Sequence, residues 1–148
     1  MVKIMNVSKE TDKLEVRKRI NKLISSARKN AKPKVCELCG KEKTSFCNSH
    51  SVPQMSLRPI ADNGVVLHAS AALGFDKDII NIENGIKKSG TFRYICNDCD
   101  GSFFQDYENP SNILKVPTDK MLGEIAVKNF LLQMSKRSDE IELWNIIQ

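Results

Sequence analysis

Six residues of this 148-residue chain have the chemistry of zinc ligands at suggestive spacings. Cys36, Cys39, Cys47 and His50 fall as C-x2-C-x7-C-x2-H within CELCGKEKTSFCNSH, and Cys96 and Cys99 form a second C-x2-C in RYICNDCDG. Zinc takes four thiolate or imidazole ligands in a tetrahedron. A C-x2-C turn aims two sulfurs at one point, and a Gly just after it, here Gly40, eases the positive φ such a turn favours. If Cys36, Cys39, Cys47 and His50 closed a knuckle alone, Cys96 and Cys99 would be an orphan thiol pair. If the two C-x2-C pairs share one ion, only Cys47 and His50 are released. Cys47 follows Phe46, and a lone Cys beside an aromatic residue suits a small buried position. A structural Zn2+ on Cys36, Cys39, Cys96 and Cys99 is therefore the expectation.

The released His50 opens SHSVP, with Pro53 three residues on. The other histidine, His68 in VVLHAS, reads as a hydrogen-bonded core residue on a strand and is given no chemistry. A Gly-closed knuckle at CELCG with a helix-opening C-x2-C at CNDCDG is the layout of a treble clef. The order C-x2-C, H-x2-P, C-x2-C resembles the zinc-stapled HNH endonucleases, which have a ββα-metal fold. CELCG, SHSVPQMSL, GTFRYICNDCD, FFQDYENP and EIAVKNFL look like segments of a bacterial and phage group of HNH-like proteins, over roughly residues 36 to 132.

That resemblance implies a metal-dependent endonuclease hydrolysing phosphodiester bonds in nucleic acid, DNA foremost. His50 would be the general base, a role that suits an imidazole near neutral pH. Asp100, just after the last zinc cysteine, would be a hard oxygen ligand for a catalytic Mg2+ or Mn2+. Asp106 or Glu108 on the following helix would supply a second ligand. The chain departs from the family pattern at three points. Ser49 stands where a metal-binding Asp is often found, SGTFRYI lacks the middle Asn, and the gap from His50 to Cys96 is long enough to hold an insertion. The alternative is a non-catalytic treble-clef zinc module that binds nucleic acid or a protein partner. Several acids converging on His50 would favour the nuclease. A His50 buried, or bonded to a main-chain carbonyl, would favour the binding module.

The elements that must position these residues are partly legible. Residues 11 to 30 read as a helix with Val16, Ile20, Leu23 and Ala27 as its apolar stripe. Lys18, Arg19, Lys22, Arg28 and Lys29 lie largely off that stripe, where they could track phosphates, and Arg93 could add a contact. Between residues 13 and 43 the charge is +8 against +5 for the whole chain, so the remainder carries a net −3. A basic excess on one segment is the footprint of a phosphate-rich partner. VVLHA (65–69) and TFRYI (91–95) read as strands, and IENGI (82–86) carries an Asn-Gly of hairpin type. Residues 100 to 110 read as a short helix stopped by Pro110, with Phe103, Phe104 and Tyr107 on its core face. Residues 119 to 136 form an amphipathic helix capped by Thr118, and a further helix starts near Ser138. Its apolar end, Leu143, Trp144, Ile146 and Ile147, suits docking on the core, on a protein partner or in a dimer, or a chain that continues in a longer protein.

The fold class expected is α+β, in three parts. Residues 1–34 would be a basic N-terminal helix and linker, 35–112 an HNH-like zinc domain, and 113–148 a C-terminal helical segment. No apolar run approaches a membrane span, and MVKIMNVSKETDKLEV lacks a secretory signal's apolar region, so a cytoplasmic protein is expected. Two C-x2-C pairs in a reducing compartment point to metal before disulfide.

Overall fold

The computed structural model describes residues 10–67 and 83–148. It is a mixed fold of helices and two small sheets. The first helix, α1 (Glu10–Asn30), follows its apolar periodicity: Ala27 is buried, and Val16, Ile20 and Leu23 are half-buried. Its main partner is the last helix, α4 (Asp119–Ile147), to which Arg28 Nε also reaches, 3.5 Å from Asp139 Oδ2.

Thr118 caps α4 as expected, accepting from the Met121 N–H at 3.2 Å. The expected break before Ser138 does not occur, and α4 runs unbroken for 29 residues. SKRSDEIE contains no Gly or Pro to end a helix. Ser138 lies inside α4, where its hydroxyl accepts from the Tyr94 hydroxyl. The end of the helix leaves Ile141, Trp144 and Ile147 exposed. Among the described residues, no helix is long and apolar enough to cross a membrane.

Strand β1 (Ser49–His50) pairs antiparallel with β4 (Thr91–Phe92), Ser49 opposite Phe92 and His50 opposite Thr91. Strand β2 (Val65–Leu67) pairs with β3 (Glu83–Gly85). His68 and the remainder of VVLHA lie outside the described residues. The Asn-Gly of IENGI is not a turn: Asn84 and Gly85 sit in β3 opposite Val66 and Val65. The turn chemistry acts instead at Asn63-Gly64, where both residues have positive φ (48° and 75°) and Asp62 bridges to Val65. TFRYI is a strand only over its first two residues. Beyond Phe92 its carbonyls turn to other work, that of Tyr94 accepting from the Glu37 N–H (3.1 Å) and that of Ile95 from the Cys47 N–H (2.8 Å).

Between β1 and β2 lie α2 (Gln54–Leu57) and a 3-10 turn over Arg58–Ile60; a second such turn, Ile86–Lys88, follows β3. Helix α3 (Asn97–Phe103) starts earlier and stops earlier than its sequence suggests. Phe104 is fully buried while Phe103, edge-on to it at 5.0 Å, is half exposed, so only one of the two belongs to the core. That core gathers Cys36, Phe92, Tyr94, Ile95, Cys96, Phe104 and Leu131, with Leu38, Phe46 and Val127 packed against it. Cys36 and Cys96 are thus part of the apolar centre, with Cys39 and Cys99 packed against it.

A candidate four-cysteine metal centre and a lysine-bridged acid pair

The ligand sulfurs of Cys36, Cys39, Cys96 and Cys99 all lie within 4.8 Å of one another. Two elements bring them there. The first pair closes a tight turn in which Gly40 adopts φ 66° and its N–H donates to the Cys36 carbonyl at 2.8 Å. The second pair enters α3, with Cys96 at its N-cap. The Cys96 N–H donates to Cys36 Sγ at 3.3 Å, and the Glu37–Tyr94 bond ties the two turns together. Burial opposes ionisation of Cys36, but N–H groups of Cys39, Cys96 and Leu38 bring it down to about 6. Burial and then the neighbouring sulfurs push Cys99 up to about 12. Four thiols this close cannot all ionise unless a cation neutralises them. Tetrahedral zinc sets sulfurs about 3.8 Å apart, within the observed bound, so the donor set fits Zn2+.

Cys47 belongs to a different group. Its thiol donates to Asp100 Oδ2 at 3.1 Å, and burial, then Asp100, push it up to about 12. Ser49 Oγ donates to Asp100 Oδ1 at 2.5 Å. The same oxygen lies 3.3 Å from Nζ of Lys128, whose side chain is 0% exposed. Lys128 also donates to Glu108 Oε1, and its Nζ sits 4.4 Å from the Phe104 ring centroid. Glu108 reaches this point because the chain turns after α3, its N–H donating to the Phe104 carbonyl at 3.0 Å. Burial works against ionisation of Asp100, but Ser49, Cys47 and Lys128 together hold it below the usual carboxylate range. The two carboxylates expected to hold a catalytic Mg2+ or Mn2+ therefore face an ammonium. Ions of that kind need oxygen donors free to face them, and these residues do not fit one. Asp106 is elsewhere, paired with Lys120 at 3.0 Å on the surface.

His50 points the other way. Successive strand residues face opposite sides. Ser49 and Phe92 are the buried pair of the β1–β4 ladder, so His50 and Thr91 lie on its outer face. There His50 Nε2 is 3.3 Å from the Ile86 carbonyl and 3.4 Å from Gln54 Nε2. In one tautomer that nitrogen donates to the carbonyl; in the other it accepts from Gln54. Gln54 and Ile86 line an open depression of about 430 Å3 together with Arg58, Lys87 and Lys88. Arg93 is nearby, donating to Asn48 Oδ1 at 3.3 Å, while the Asn48 amide donates to the Lys87 carbonyl at 3.3 Å. On α1, Lys18, Arg19, Lys22, Arg28 and Lys29 are all exposed, and among the described residues Arg28 alone of these is paired, with Asp139.

Sequence reasoning missed Lys128 and Glu124. Both lie on the buried stripe of α4, Met121, Glu124, Lys128, Leu131, at helical spacing. That spacing, linking two apolar residues through two charged ones, was the available signal. No protein-family model matches the chain, and no match is found among curated proteins or solved structures. The resemblance to HNH nucleases therefore rests on its motifs, and what the geometry establishes is a cluster of four cysteines that could hold zinc in a mixed fold of helices and small sheets.

Proposed function

We propose that the chain is a zinc-stapled, non-catalytic module that binds the phosphate backbone of nucleic acid, duplex DNA foremost, through the face that carries His50. One observation carries this reading: His50 and the carboxylates of Asp100 and Glu108 lie on opposite sides of β1, and His50 is within bonding distance of a main-chain carbonyl. A general base must reach the water it activates beside the bound metal. Here the acids turn inward to Lys128 while the imidazole turns outward. Its two bonding neighbours, Gln54 and Ile86, line a depression whose other walls are cationic. Arg58, Lys87 and Lys88 border that depression, and among the described residues none of the three is paired with a carboxylate. Contacts of this kind recognise phosphate without reading bases. Zn2+ on Cys36, Cys39, Cys96 and Cys99 supplies rigidity and folding energy.

The test uses zinc-loaded protein with labelled duplex DNA and, in parallel, supercoiled plasmid with Mg2+ or Mn2+. Binding that weakens steeply with salt, without cleavage, is expected. Cleavage lost in His50→Ala, with zinc content intact, would replace this reading with the metal-dependent endonuclease. Absence of binding even at low salt would defeat the nucleic-acid assignment.

A further inference from the structure

We infer that Lys128 is a built-in cation holding the place of a divalent metal ion between Asp100 and Glu108, and that removing its ammonium opens a latent divalent-cation site. Its side chain is fully buried, and Nζ reaches both carboxylates and the Phe104 ring. The acids are held for it from behind. Ser49 and Cys47 donate to Asp100, and the Phe104 carbonyl fixes the backbone of Glu108. An ammonium anchored on α4 cannot diffuse away, so the charge of this centre does not depend on free cation concentration. A divalent ion could not share the two carboxylates with it, because like charges a few ångströms apart in a buried site repel strongly. Without the ammonium, the two hard carboxylates remain around the volume it filled, a donor pair that water completes for Mn2+ or Mg2+. The inference goes beyond the nucleic-acid reading and is read without nucleic acid present, so either can fail alone.

The experiment is a titration of Mn2+ into zinc-loaded protein, followed by the EPR signal of the free ion. Wild type is expected to leave Mn2+ free at millimolar concentration. Lys128→Ala is expected to bind one equivalent at least about tenfold more tightly than wild type, and Lys128→Ala/Asp100→Asn to lose that gain. If Lys128→Ala does not fold, Lys128→Gln carries the same comparison. Mn2+ binding by wild type that disappears in Asp100→Asn would overturn the inference. So would a folded Lys128 variant that binds no more Mn2+ than wild type.

Discussion

Cys47 and Cys96 look alike in the sequence, yet they differ in what surrounds the sulfur. Cys96 stands among three other thiols, with its own N–H on Cys36 Sγ. Cys47 is half-buried beside a carboxylate, and burial first, then Asp100, push its thiol up to about 12. Thiolate is both the metal ligand and the nucleophile. Cys47→Ser should therefore retain one equivalent of zinc, whereas Cys96→Ser should lose it and unfold, as zinc content and circular dichroism would report. Native alkylation near neutral pH should leave Cys47 unmodified in the zinc-loaded wild type. Zinc retained by Cys96→Ser and lost by Cys47→Ser would mean that the four clustered sulfurs are not the ligands. The cluster was legible because C-x2-C is a local geometric device whose partner has the same form. Asp100 was legible as important, since it follows Cys99, but not in its role. Its role is set by a lysine 28 residues later, and one lysine in a helix full of charge reads as surface until the buried stripe is traced.

At the scale of elements, α4 is the brace of the four-cysteine core. Its buried face sends two polar side chains to the turn that follows α3. Lys128 holds Glu108, and Glu124, 2% exposed, accepts the Tyr107 N–H at 2.7 Å. Tyr107 passes the restraint on, its hydroxyl donating to the Ser51 carbonyl at 3.1 Å, one residue beyond β1. Glu124→Ala removes the acceptor and strands the Tyr107 N–H, which costs roughly 1–3 kcal/mol when such a group is left unsatisfied. Glu124→Gln keeps an amide oxygen there and should lose clearly less. Urea unfolding of the zinc-loaded variants measures the difference, and equal losses would show that this bond does not brace the turn. The N-terminal helix was legible because a period of 3.6 repeats along it, and the start of α4 because Thr118 caps it. The buried stripe of α4 was not, since it runs through Glu124 and Lys128 while Leu122 and Phe130 are exposed. Nor were the strands. Two- and three-residue strands carry too little alternation, and the two Asn-Gly pairs are identical in sequence while only Asn63-Gly64 takes the positive φ values of a turn. Which pair turns is decided by what each pairs with, a tertiary fact.

Over the whole molecule, charge is divided between two surfaces that would act differently on the same polyanion. The segment 13–43 carries +8 and everything else a net −3. That basic segment, most of α1 with the stretch that follows it, therefore dominates the field at a distance, and such a field steers encounter and sets the association rate. The face of His50 has no such excess around it, but it holds Arg58, Lys87 and Lys88 about one concave site, the arrangement that makes close contacts. Each phosphate neutralised contributes roughly 0.9 to the slope of log affinity against log salt on duplex DNA. If all three cations make such contacts, replacing Arg58, Lys87 and Lys88 by Gln should flatten that slope by roughly 2.7 and weaken all sequences alike. Replacing Lys18, Arg19, Lys22 and Lys29 should instead act mainly on the association rate at low salt. Stopped-flow anisotropy across a salt series separates the two, with zinc content as the control for folding. An unchanged slope in the triple variant, with the α1 variant carrying the whole loss, would move the interface to the N-terminal helix and leave the depression beside His50 without a part in binding.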